Sequence, residues 1–141
     1  MKRIIIDASV ALKWFLADEE DGEKALVLLD KYVSNQLDIL APSLLESEVV
    51  NGLIIAMRRG RVDENDTYKA LEGFVDLKID LRPITSLYPK VLQNSIHYNL
   101  SAYDACYLAL AESEETHLIT ADRKFFTSAR KNRWIKWLGD I

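Results

Sequence analysis

Four places along the chain offer carboxylates that can do chemistry together. Asp7 ends the apolar run Arg3-Ile4-Ile5-Ile6, and Asp122 follows His117-Leu118-Ile119-Thr120 with only Ala121 between. Asp104 is the one charge between Ala102 and Ala111, inside Leu100-Ser101-Ala102-Tyr103-Asp104-Ala105-Cys106-Tyr107-Leu108-Ala109-Leu110-Ala111. The fourth place is the segment that starts near Ser43, where Glu46 and Glu48 both qualify. A buried carboxylate must be paired, protonated or bound to a cation, because leaving it alone costs several kcal/mol. Several carboxylates in one cleft repel one another and rise in pKa. A hard divalent cation relieves this, and an all-oxygen donor set suits Mg²⁺ or Mn²⁺. Zinc is disfavoured, since there is one Cys and the two histidines, His97 and His117, have no ligand spacing. Both histidines read as surface or core packing residues.

The elements that must position these acids follow from the pattern. Arg3–Ile6 and His117–Thr120 read as buried parallel strands, and Asp38–Ala41 as a brief one before Pro42. Asp80 to Ile84 contains Pro83 and can be only an edge strand, and Trp134 to Leu138 is a candidate last strand. Helices are predicted over Ser9–Ala17, Glu23–Asn35, Ser43–Arg59, Asp63–Leu77, Leu87–Tyr98 and Phe125–Lys131, with a loop from Asp18 to Gly22. Ala25, Leu26, Leu28, Leu29 and Val33 are expected on the core side of the second helix. Tyr68, Leu71, Phe74 and Val75 take that role in the fourth. The Leu100–Ala111 stretch is apolar all round, so it belongs in the middle of the domain. Alternating strands and helices define an α/β fold, a mostly parallel sheet of about 4–5 strands flanked by helices. Ligands of such sheets bind beyond the carboxyl ends of the strands, where Asp7 and Asp122 emerge.

Composition narrows the setting. The chain has 141 residues, 49% of them hydrophobic, with five Gly and three Pro, which suits a single domain over residues 1–141 with a real core. Cys106 is the one cysteine and reads as a small buried hydrophobe in a reducing, cytoplasmic protein. Met1-Lys2-Arg3 is followed by too short an apolar run for a secretory signal, and the nine residues Val49 to Met57 are too few to cross a bilayer. Net charge is −4, yet Arg123, Lys124, Arg130, Lys131, Arg133 and Lys136 face only Asp140 in the last segment. Arg58, Arg59 and Arg61 form a second basic patch, and Lys13 lies near the first acid. Either patch can meet phosphate; a solvated helix surface is the plainer use of such charges.

Each acid also has a structural explanation. Ser101 and Ser43 stand three residues before Asp104 and Glu46, the spacing of a capping box, and Asp7 and Asp122 can cap the helices after them. Local geometry leaves Glu46 and Glu48 both open. Capping accounts for Glu46 and leaves Glu48 unexplained.

Four motifs in order decide between these explanations. Ile6-Asp7-Ala8-Ser9-Val10-Ala11-Leu12-Lys13-Trp14-Phe15, Pro42-Ser43-Leu44-Leu45-Glu46-Ser47-Glu48-Val49-Val50-Asn51, Leu100-Ser101-Ala102-Tyr103-Asp104-Ala105 and Leu118-Ile119-Thr120-Ala121-Asp122-Arg123 together resemble the PIN domains of VapC-like toxins. The resemblance implies a PIN-like fold and a Mg²⁺- or Mn²⁺-dependent ribonuclease whose cuts leave a 5′-phosphate and a 3′-hydroxyl. In that family the helix acid precedes Asn by three residues, so Glu48 before Asn51 matches and Glu46 does not. The implied catalytic and metal-binding set is Asp7, Glu48, Asp104 and Asp122, with Ser9 and Thr120 in supporting positions. Lys13, Arg58, Arg59, Arg123 and Lys124 are candidate RNA contacts. VapC-like toxins also imply an antitoxin protein that occludes the acidic cleft and a homodimer, with no membrane involved. Other readings are an RNA-processing PIN nuclease outside a toxin–antitoxin pair and a mainly protein-binding module. A receiver domain would carry adjacent acids after the first strand, and a haloacid-dehalogenase-type phosphatase an Asp at position 9, where Ser stands.

Overall fold

Ile4, Ile5 and Ile6 are buried on both faces of the first strand, as a β-branched run without alternation requires. That strand, β1 (Lys2–Ile6), is the centre of a five-stranded sheet in the computed structural model, which describes residues 2–17 and 19–141. The other strands are β2 (Leu37–Pro42), β3 (Asp80–Arg82), β4 (Leu118–Thr120) and β5 (Ile135–Trp137), in the order β3-β2-β1-β4-β5. Every pairing is parallel. β3 is an edge strand with Pro83 just past its end, where a missing N–H costs no ladder bond. The chain runs outward from β1 through β2 to β3 and then returns to the other side of β1. The reversal therefore falls between β1 and β4, and a crevice for ligands belongs at their carboxyl ends.

Among the described residues the helices are α1 (Ala8–Ala11), α2 (Gly22–Val33), α3 (Leu45–Arg58), α4 (Glu64–Asp76), α5 (Tyr88–Tyr98), α6 (Ala102–Glu114) and α7 (Arg123–Ala129). The short helix expected over Ser9–Ala17 is a single α turn followed by a 3₁₀ turn, Leu12–Trp14. Trp14 then ties this segment to α2, its indole Nε1 donating to the carbonyl of Ala25 at 2.9 Å. The 3₁₀ turn and α3 approach so closely at Gly52 that a Cβ there would collide with the Leu12 side chain. Part of the expected loop, Asp18, lies outside the described residues.

The inward faces of α2 and α4 are narrower than expected. Ala25 and Leu28 are buried, but Leu26 and Val33 are exposed; Phe74 is buried, but Tyr68 and Val75 are exposed. These helices lie on the outside of the sheet, where a narrow stripe suffices. α6 is the opposite case. Ala105 to Ala111 are buried without a break, and the helix lies against β1, β2, β4 and α5.

Candidate active site

Asp7 leaves the end of β1 and Thr120 ends β4, and the register Ile6↔Ile119 makes the two neighbours at the reversal point. Asp7 is only 5% exposed. Its Oδ1 accepts from the Ser9 hydroxyl at 2.5 Å and, more weakly, from the Val10 N–H at 3.4 Å. Its Oδ2 accepts from the Thr120 hydroxyl at 2.5 Å. Both hydroxyls are oriented from behind: Ser9 Oγ accepts from the Ala121 N–H at 2.8 Å, and Thr120 Oγ1 from the Asp122 N–H at 3.1 Å. With those lone pairs occupied, each O–H points at the Asp7 carboxylate. Burial nevertheless pushes the Asp7 carboxyl up to about 7, against the pull of the two hydroxyls, and the charges of Asp104 and Asp122 push the same way.

The remaining acids come from three helix starts. Asp104 lies in the first turn of α6, where the backbone N–H of residue 104 donates to Ser101 Oγ at 3.1 Å. It is half-buried, not enclosed as an all-apolar helix suggested, because burial begins at Ala105. Its carboxyl is raised to about 6, first by burial and then by Asp122 and Glu48, while Ser101 and Lys124 draw it down. Asp122 is exposed and caps α7, its Oδ1 accepting from the Phe125 N–H at 3.1 Å. Asp7 caps α1 in the same way, so capping and clustering coincide at both residues.

The capping box proposed for Ser43 and Glu46 is absent. α3 begins at Leu45, its N-cap is Leu44, and no side chain caps it. Glu46 points to solvent, whereas Glu48 is half-buried and its Oε1 accepts from the Tyr107 hydroxyl at 2.5 Å. Burial raises the Glu48 carboxyl and the Tyr107 bond lowers it. Tyr107 was not singled out in the sequence, where it passes for one more apolar residue of α6. The available signal was its hydroxyl, which a buried Tyr must satisfy. Tyr107→Phe should therefore cost about 1–3 kcal/mol of stability. The penalty should shrink as the pH falls and Glu48 takes up a proton, because a protonated carboxyl has less need of a donor. Denaturant midpoints across a pH series test this, and a penalty independent of pH would count against it.

None of the four carboxylates has an ion-pair partner among the described residues. Asp104 and Asp122 instead push the Asp7 carboxyl up, and Asp122 and Glu48 push that of Asp104 up, a set in deficit of positive charge. Their oxygen-only chemistry fits Mg²⁺ or Mn²⁺. No three His, Cys, Asp or Glu among the described residues are grouped tightly enough to hold an ion directly.

The candidate RNA contacts differ in availability. Lys13 is drawn into an ion pair with Glu19 at 3.3 Å and its side chain is only 11% exposed. Arg123 lies over the Trp137 ring at 4.1 Å, and Lys124 is exposed near Asp104. Arg58 and Arg59 are exposed at the end of α3.

Comparison with known proteins identifies the family. The PIN domain family model matches residues 4–131. The chain belongs to the PIN domain family. Ribonuclease VapC9 of Mycobacterium tuberculosis is 34% identical over 119 residues, covering 84% of this chain and 85% of that protein. A crystal structure of a Pyrobaculum aerophilum protein superposes with a TM-score of 0.68 at 23% identity, covering 99% of this chain and 92% of the other. A toxin–antitoxin complex from Klebsiella pneumoniae aligns with a TM-score of 0.59 at 20% identity, over 94% of this PIN domain and 95% of its counterpart. The expected family and the parallel α/β fold are thus found. No helix among the described residues is long and apolar enough to cross a membrane.

Proposed function

We propose that this PIN domain is a divalent-metal-dependent endoribonuclease, the toxin of a toxin–antitoxin pair. The observation that carries the reading is the enclosed Asp7 carboxylate, with a hydroxyl donor on each oxygen, Asp104 and Asp122 close enough to push it up, and Glu48 acting in turn on Asp104. Relatives named VapC ribonucleases support the same chemistry. In this reading Ser9 and Thr120 fix the Asp7 oxygens, Asp104 and Asp122 add donors from the other side, and Tyr107 aims Glu48. Ser101 and the start of α6 hold Asp104 on a rigid helix, so the donor set is organised before substrate arrives. A bound Mg²⁺ or Mn²⁺ supplies Lewis acidity, neutralising charge on the phosphoryl oxygens and lowering the pKa of the attacking water. Water adds to phosphorus, the bond to the 3′ oxygen breaks, and the products are a 3′-hydroxyl and a 5′-phosphate. Lys13, Arg58, Arg59, Arg123 and Lys124 are proposed to meet the RNA backbone.

An antitoxin Arg entering the cleft would find carboxylates free for bidentate pairing. A homodimer and a cytoplasmic setting belong to the same reading. Incubating the protein with total RNA and Mn²⁺ or Mg²⁺ tests it. Cleavage that stops with EDTA and leaves 5′-phosphate ends is the expected result. Equal cleavage in EDTA, or none with either ion, rejects it.

A further inference from the structure

Beside the carboxylates lies a cleft of about 260 Å³ that the four acids do not account for. Ser9 and Ala121 form its inner edge, and these two orient the Asp7 carboxylate through Ser9 Oγ. Its outer walls carry Lys13, Arg59 and Arg61, three cations against one acid, Glu19. Glu19 divides its two oxygens between opposite walls. Oε1 takes Lys13 Nζ at 3.3 Å and Oε2 takes an Arg61 guanidinium nitrogen at 2.9 Å. The Arg61 side chain remains 41% exposed, and Arg59 has no carboxylate partner among the described residues.

The backbone fixes these cations. α3 ends in a Schellman turn: Gly60 adopts φ +73°, its N–H donates to the Met57 carbonyl at 3.0 Å, and the Arg61 N–H donates to Ala56 at 2.9 Å. Arg59 and Arg61 thereby flank one rigid left-handed residue at the mouth of the cleft. An RNA strand that places one phosphate at the carboxylates meets repulsion there from its other phosphates. Cations immediately alongside offset that repulsion, and phosphate contacts supply most of non-specific nucleic-acid affinity.

We propose that this cleft is a phosphate subsite for the RNA strand adjoining the scissile bond, with Arg59 and Arg61 as contacts and Glu19 as the residue that sets its charge. The subsite rests on the ribonuclease reading above. Glu19 holds Lys13 and Arg61 on opposite walls and also limits how strongly they bind phosphate. A purely structural ion cluster makes a different prediction, because Glu19 and Arg61 are then partners in one bond and their loss acts in one direction. As a phosphate subsite, the two have opposite effects on RNA.

Steady-state cleavage of a short single-stranded RNA with Mn²⁺, at several salt concentrations, separates these cases for the wild type, Arg59→Gln, Arg61→Gln and Glu19→Gln. Both arginine variants are expected to raise KM about three- to tenfold. They should also lower the salt slope of kcat/KM by about one, with kcat little changed. Glu19→Gln keeps an oxygen to accept from Arg61 but removes the negative charge, so it should lower KM and steepen the salt slope. Shifts of KM in the same direction for Arg61→Gln and Glu19→Gln overturn the subsite, as do unchanged values in a cleaving wild type. A wild type that does not cleave RNA removes the ribonuclease reading itself and the subsite with it.

Discussion

The Asp104→Asn protein is expected to lose RNA cleavage by about a hundredfold or more, while folding as well as the wild type. The substitution preserves shape and removes one charge from the cluster. The backbone N–H of residue 104 still donates to Ser101 Oγ, so the start of α6 is retained. That separates the two explanations of Asp104. If capping were its whole purpose, activity would survive. Burial and the neighbouring Asp122 and Glu48 oppose its charge, so without metal the melting temperature at pH 8 should be equal or higher than that of the wild type. Cleavage of a labelled RNA and thermal melts on the same preparations check both halves, and near-wild-type cleavage would falsify the assignment of Asp104.

The second large effect is a stability that falls as pH rises in the absence of metal. Asp7 holds its proton to about pH 7 in the folded chain and releases it near 3.8 when unfolded. Between those values the folded state binds more protons than the unfolded state, so raising the pH favours unfolding. The full span is worth roughly 4 kcal/mol for this enclosed group. Asp104 adds a contribution of the same sign that is complete by about pH 6. Melts in EDTA should therefore drop steadily from about pH 4 to about pH 7 and level off above it. On the proposed function Mn²⁺ would bind only the folded, ionised cluster, so its stabilisation should be greatest at the alkaline end, about 2.7 kcal/mol at a hundred times its dissociation constant. Asp7→Asn should flatten the pH profile and abolish the Mn²⁺ effect. A melting temperature that climbs across this window, with no response to Mn²⁺, contradicts a buried charge cluster.

What the sequence determined was the architecture and the positions where acids stand. β-branched runs ending in acids and a helix apolar all round are local signals, and each became the element it implied. The resemblance of four ordered motifs to PIN domains implied Asp7, Glu48, Asp104 and Asp122, since the order of motifs is a sequence property. Relative depth is not. The sequence drew attention to Asp104 as the isolated charge, yet the enclosed carboxylate is Asp7, because β1 lies at the centre of the sheet while Asp104 stands at the surface end of α6. Local geometry left Glu46 and Glu48 both open, and the side facing α6 turned out to be that of Glu48, where the Tyr107 hydroxyl donates to it. Pairing is likewise beyond a linear pattern. Lys13 and Arg61 are far apart along the chain, and only the tertiary fold brings both to Glu19, since an ion pair depends on distance in space.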